Sequence, residues 1–128
     1  RLTLMIFHVD NFKEYNDRVG HQAGDEALCA FANILKAQTR AMNLAARYGG
    51  DEFISILADT DRRGGVTHAS RIARAIAGDP LLSAARIRAS TGIASYTTRM
   101  QEPADLIRAA DRDLYARKTG RAKEIPSR

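Results

Sequence analysis

Arg47-Tyr48-Gly49-Gly50-Asp51-Glu52-Phe53 lies between two short apolar runs, Leu44-Ala45-Ala46 and Phe53-Ile54-Ser55-Ile56-Leu57. Runs of this length read as strands, the second a buried one. Two glycines between two strands signal a tight hairpin whose central positions take positive φ. Asp51 and Glu52 follow the glycines at once, so two carboxylates stand at the hairpin tip. Acids where the backbone is bare suit a divalent ion bound to phosphates. The plain alternative is a pair of solvated turn residues.

Upstream, the apolar run Leu2-Thr3-Leu4-Met5-Ile6-Phe7-His8-Val9 has the character of a central strand. It turns through Asp10-Asn11 into a helix from Phe12 to about Val19. Asn11 with Glu14 three residues later reads as a capping box, and Gly20 suits the residue past the helix end. A strand that runs straight into a helix N-terminus leaves free backbone N–H groups, a ready anion site. Lys13 in that first turn opposes the helix dipole; it faces either a phosphate or water. Residues 19–24 read as a loop. Asp25 reads as the N-cap of a second helix to about Arg40, striped by Leu28, Phe31, Ile34 and Leu35. Taken singly, Asn16 is a surface residue and His21 a loop histidine.

Downstream of the hairpin, residues 59–65 form a polar loop. Val66, Ala69, Ile72, Ala73 and Ile76 mark a third helix, stopped at Gly78-Asp79-Pro80. Residues 87–95 read as a strand in which Gly92 is a bulge or a close-approach point. Pro103 opens a last helix with Leu106, Ile107, Ala110 and Leu114 inward, ending around Lys118 and Arg121. The order β-α-α-β-β-α-β-α predicts an α+β, ferredoxin-like fold of the split βαβ kind, a mixed sheet of about five strands with helices packed around it.

At 128 residues and 45% hydrophobic content the chain is expected to be one domain with a single core. No apolar run is long enough for a membrane helix and no secretory signal is visible. The lone cysteine, Cys29, lies in an apolar helical pattern and reads as a small buried residue of a reducing compartment. The net charge of +5 is uneven: residues 1–64 carry 8 basic and 9 acidic side chains, residues 65–128 carry 12 and 6. A basic second half points to an anionic partner or to a solvated surface.

The run Gly49-Gly50-Asp51-Glu52-Phe53 resembles the signature of the GGDEF family, the diguanylate cyclases. Further stretches match in order. Val9-Asp10-Asn11-Phe12-Lys13-Glu14-Tyr15-Asn16-Asp17 and Gly20-His21-Gln22-Ala23-Gly24-Asp25 resemble the family's first strand, first helix and following loop. Arg47-Tyr48 precede the signature as usual, and Ala110-Asp111, Leu114-Tyr115, Lys118, Gly120 and Arg121 resemble its C-terminal helix. The resemblance implies a palm-type fold that condenses two GTP into cyclic di-GMP with Mg²⁺ or Mn²⁺. Each domain holds one GTP, so a second GGDEF domain must face it in a homodimer. Residue by residue, it implies that Asn16 and Asp25 bind guanine with His21 lining the pocket. The backbone around Asn11 and Phe12 would hold the β- and γ-phosphates, neutralised by Lys13, Lys118 and Arg121. Gly49 and Gly50 would let the nucleotide approach. Asp51 would ligate metal and activate the 3′-hydroxyl, Glu52 would be a further ligand, and Val9 would lend its carbonyl. The domain is then expected in the cytoplasm, with GTP and cyclic di-GMP as partners and neither nucleic acid nor membrane in contact.

The chain departs from that pattern. Members usually carry a metal-binding Asp two residues before Asp10, where His8 stands here. Imidazole is a softer, neutral ligand, poorly suited to Mg²⁺. The expectation is much reduced turnover, with Mn²⁺ preference or no catalysis. The alternative to a cyclase is a degenerate domain that binds GTP or cyclic di-GMP and regulates an attached domain or partner. Many members bind inhibitory product through Arg-x-x-Asp; Arg40 is present here but Asn43 replaces the acid, so product inhibition is expected to be weak or absent. One residue rather than two separates Lys118 from Gly120, which weakens the assignment of Arg121. Members also carry a helix and an Asp-x-Leu-Thr-type turn before the first strand. The chain starts after it and is expected to be a fragment of a longer signalling protein. An RNA-binding sheet would need paired aromatic residues on adjacent strands, and the predicted strands show none.

Overall fold

The computed structural model of the chain describes residues 1–120; the expected phosphate-binding Arg121 lies outside them. β1 (Leu2–Val9) leads to α1 (Phe12–Val19) and α2 (His21–Gln38). The hairpin strands β2 (Leu44–Arg47) and β3 (Glu52–Ala58) lead to α3 (Arg62–Gly78) and α4 (Pro80–Ala84). β4 (Ala89–Ser95) and α5 (Pro103–Lys118) complete the order. The sheet runs β2-β3-β1-β4. The α+β, ferredoxin-like class holds, with two corrections. The described residues form four strands, not about five. Every neighbouring pair is antiparallel, so the sheet is not mixed. The cause is topological. Each helical crossover joins two parallel strands, but a third strand lies between them: β3 separates β1 from β2, and β1 separates β3 from β4.

Alternation along β1 divides the core in two. Met5, Phe7 and Val9 face α2 and α3, in a cluster with Phe31, Leu35, Phe53 and Ile72. Leu4 and Ile6 face the other way, against Leu106, Ala110 and Leu114 of α5. His8 continues this α5 face, with Glu52 of β3 and Ser90 of β4 as its cross-strand partners. The Phe31 ring lies 6.2 Å from that of Phe7 and 4.8 Å from that of Phe53. Phe7 and Phe53 are cross-strand partners, so adjacent strands do carry an aromatic pair, contrary to expectation. Both rings are buried in the core with Phe31 and offer no stacking surface. Phe7 precedes His8 and Phe53 follows Glu52, so this aromatic group clamps the two strand ends from the opposite face. Truncating such a ring to Ala costs about 3–5 kcal/mol, so the site rests on a stiff base.

Gly92 is a close-approach point. A Cβ there would fall 2.1 Å from the Ala110 carbonyl oxygen and 2.7 Å from Leu114 Cβ. The β1–β4 ladder runs unbroken through it, so it is no bulge. α5 therefore lies directly on β4, which fixes where its C-terminal Lys118 emerges.

Other expectations shift. α2 starts at His21, and the expected loop 19–24 shrinks to Gly20, which takes φ 93°. Asp25 is accordingly one turn inside the helix and caps nothing. Asn11 has φ 55° and makes no side-chain cap, so the capping box is absent. Cys29 is exposed, not buried; Ala27, Leu28 and Phe31 set the inward face of α2, and Cys29 turns away from it. Pro80 does stop α3, but as the first residue of α4, where its missing N–H costs nothing.

Candidate functional site

The end of β1, the turn between β2 and β3, and the end of α5 converge. Tyr48 and Gly49 N–H both donate to the Glu52 carbonyl, at 2.8 and 3.1 Å. Arg47 folds back over the turn; its Nε donates to the Gly49 carbonyl at 3.0 Å and its Nη2 to that of Gly50 at 2.6 Å. The turn spans residues 48–51 and neither glycine is in the left-handed region, contrary to the two-residue expectation. The glycines leave space instead. A Cβ on Gly50 would meet nothing within 4 Å, and one on Gly49 would lie 3.5 Å from Glu52 Oε1. Val9 N–H donates to the Asp51 carbonyl at 2.9 Å. N–H and C=O of one residue point the same way in an antiparallel strand, so the Val9 carbonyl also faces this turn.

His8 ties three elements together. Its Nε2 is 3.0 Å from Asp51 Oδ2, and its Nδ1 is 2.6 Å from Lys118 Nζ. An ammonium carries only donors, so Lys118 donates to Nδ1 and the ring hydrogen sits on Nε2, donating to Asp51. The imidazole thus bridges a cation and a carboxylate. Asp10 Oδ1 lies 3.6 Å from His8 Nδ1 and 3.9 Å from Lys118 Nζ, and accepts from the Ser90 hydroxyl at 2.7 Å. Glu52 faces His8 across the ladder. Sequence reasoning missed Asp10, Ser90 and Arg47. The signals were there: Asp10 stands two residues beyond His8, and Arg47 is the one long cation flanking a bare turn.

A second group lies on α1 and α2. Asn16 Nδ2 donates to His21 Nδ1 at 2.9 Å. Gly24 makes room for it: a Cβ there would fall 2.0 Å from Asn16 Oδ1. Asp25 is exposed and, with Leu28, Cys29, Arg47 and Phe53, lines a groove of about 720 Å³ between α2 and the hairpin. Phe12 packs beside Gly24. Lys13 is exposed and has no ion-pair partner among the described residues. The first turn of α1 has no side-chain cap, so its N–H groups stay open to an anion. Arg40 is exposed after α2, and Asn43 Oδ1 accepts from Ala58 N–H at 2.9 Å, committed to the end of β3.

The acids do not fit a divalent ion as they stand. Mg²⁺ requires oxygen ligands around one point. Among the described residues no group of three or more His, Cys, Asp or Glu is disposed to hold a metal. The Oδ2 atom of Asp51 receives the His8 N–H instead, and an ammonium sits at the other ring nitrogen.

Fold and site together define a palm-type α+β domain with an acidic hairpin beside an open helix N-terminus. The family described as "Diguanylate cyclase, GGDEF domain" matches residues 1–124. Diguanylate cyclase A of Treponema denticola is 33% identical over 120 residues, covering 91% of this chain and 32% of that protein. Response regulator PleD of Caulobacter vibrioides is 33% identical over 126 residues, covering 94% and 28%. The active GGEEF domain of a diguanylate cyclase from Vibrio cholerae superposes with a TM-score of 0.85 at 31% identity, covering 93% of this chain and 77% of that one. The GGDEF domain of DgcB from Caulobacter crescentus, in complex with c-di-GMP, gives 0.85 at 27% identity, covering 98% and 75%. The chain belongs to the GGDEF domain family. It spans about a third of the length of the curated relatives it matches. No helix among the described residues is long and apolar enough to cross a membrane.

Proposed function

We propose that this domain binds guanine nucleotide between α1, α2 and the β2–β3 turn, and that it regulates an attached domain or partner instead of condensing GTP. One observation carries the second half: His8 donates to Asp51 where the family pattern sets acid beside acid. In this reading Asn16 and Asp25 hydrogen-bond the base, with His21 oriented by Asn16. The open first turn of α1 and Lys13 take phosphate oxygens, and Lys118 approaches from α5. The glycines of the turn keep side chains out of the nucleotide's path. A domain that uses GTP works where GTP is held, so the cytoplasm is the compartment this reading requires.

The cyclase reading is favoured by a different observation: Asp51, Glu52 and the Val9 carbonyl all face the turn region, and the relatives include named diguanylate cyclases. It would require a second GGDEF domain opposite the first. Calorimetry with GTP and ATP, paired with chromatography of GTP after incubation in Mg²⁺ or Mn²⁺, separates the two. GTP-selective binding without product supports the regulatory reading. Cyclic di-GMP in either metal establishes a cyclase, and no preference for GTP over ATP removes both.

A further inference from the structure

The misfit between the acids and a divalent ion has its own geometry, and it deepens the nucleotide-binding reading above. We infer that Lys118, acting through the His8 ring, replaces a divalent ion in this site, so that guanine nucleotide binds without metal.

The His8 ring spans the space between the carboxylates. One nitrogen is 3.0 Å from Asp51 Oδ2 and the other is 3.6 Å from Asp10 Oδ1. A dication bridging Asp10 and Asp51 would have to displace that ring. The ring is held in place: its side chain is 21% exposed, it grows from the central strand, and hydrogen bonds at both nitrogens fix its plane. The charge a metal would bring is already partly present. Lys118 Nζ sits 2.6 Å from the ring and 3.9 Å from Asp10, neutralising one of the three acids around His8. A dication arriving beside an ammonium meets repulsion on top of the cost of shedding its water.

The ammonium is also available to a ligand. It uses one donor on His8, its side chain is 37% exposed, and it has two N–H groups left for phosphate oxygens. Its location does not depend on a loop. α5 is pressed on β4 through Gly92 and buries Leu106, Ala110 and Leu114, so Lys118 is delivered by a packed helix. His8 therefore trades a metal ligand for a relay: the Asp51 charge is met by an N–H, whose ring is polarised by the lysine behind it.

The test is GTP calorimetry on the chain in chelator, in saturating Mg²⁺ and in saturating Mn²⁺, repeated for His8→Asp, His8→Asn and Lys118→Met. The native affinity is expected to stay within about threefold across the three conditions. Lys118→Met should lose about tenfold in chelator. His8→Asp should bind weakly in chelator and gain about tenfold or more with Mn²⁺; His8→Asn, which loses the ring without gaining a charge, should not recover with metal. A native chain that binds GTP about tenfold tighter in Mg²⁺ than in chelator overturns the inference and leaves the nucleotide reading standing. Absence of GTP binding in every condition overturns the nucleotide reading instead. In that case Mn²⁺ alone, followed by its paramagnetic broadening, decides: tighter binding by His8→Asp than by the native chain supports the replacement, and equal binding contradicts it.

Discussion

His8 and Lys118 stand 110 positions apart in the sequence, and their ring and ammonium nitrogens are 2.6 Å apart. The contact joins the end of the central strand to the end of the last helix. It exists because two independent packings agree. The Phe7–Phe31–Phe53 group fixes β1 and β3 on one face, and Gly92 lets α5 lie flat on the other. Disturbing either packing should therefore be felt at the site.

Gly92→Ala tests the second packing. The new Cβ would lie 2.1 Å from a backbone oxygen of α5 and 2.8 Å from the Leu114 nitrogen, neither of which can rotate away. The helix must lift, costing about 3 kcal/mol, read as a fall in the urea midpoint at unchanged slope. GTP affinity should fall with it as Lys118 leaves His8. A loss below about 1 kcal/mol would show that α5 is not seated as described.

Gly24→Ala separates binding from stability. Its Cβ would occupy the position of Asn16 Oδ1, 2.0 Å away, and crowd Phe12 Cζ at 3.3 Å. Asn16 can swing out, and Ala gains about 0.5–1 kcal/mol over Gly within a helix. Stability is expected to change little while GTP affinity drops about tenfold, through loss of the Asn16–His21 hydrogen bond and of the base contact. Unchanged affinity would remove Asn16 from the site.

The fold also contains a pH dependence away from the site. His68 of α3 is 7% exposed and its Nε2 has no hydrogen-bond partner among the described residues. Burial, then the guanidiniums of Arg71 on its own helix and Arg40 from the turn after α2, hold its pKa below the usual histidine value. The folded state favours the neutral ring, so this stability is complete above the ordinary histidine pKa of about 6.5 and is lost as pH falls through it. The urea midpoint should decline between about pH 7 and pH 5, and decline less in His68→Gln. Equal declines would assign the effect elsewhere.

Asn43 bears on product binding. Its side-chain oxygen is engaged by the Ala58 N–H and its own N–H by the Arg40 carbonyl, both at 2.9 Å. A residue so committed to closing the hairpin base is not free to turn to a ligand. Cyclic di-GMP should therefore bind Arg40 and its surroundings weakly. Tight binding by calorimetry that Arg40→Ala abolishes would contradict this.

The elements with clear periodicity were readable in the sequence. The Leu2–Val9 strand, the apolar stripes of α2, α3 and α5, and the acidic turn are found on the elements that patterning marks. But α3 begins at Arg62, inside the expected 59–65 loop, because Asp61 caps it by accepting from Gly64 N–H at 2.9 Å. The failures share a cause: a residue whose setting is decided by a distant partner. The residues 19–24 look like a loop because two glycines break helix propensity. The chain nevertheless turns helical at His21, because Gly24 is the seat for Asn16 rather than a breaker. Gly49 and Gly50 read as a positive-φ pair, yet Arg47 closes the turn from its side and the glycines serve clearance. At the site, the sequence marks His8 as a departure but not what it contacts. Only the β1–β3 register and the seating of α5 bring Asp51 and Lys118 to opposite sides of one ring.

The most direct measurement is chromatography of GTP incubated with this chain and, in parallel, with His8→Asp, each in Mg²⁺ and in Mn²⁺. The account predicts intact GTP from the native sequence in both metals, and cyclic di-GMP from paired copies of the His8→Asp domain. Cyclic di-GMP from the native sequence in either metal would contradict it: His8 would then be a working part of a cyclase, not the residue that closes its metal site.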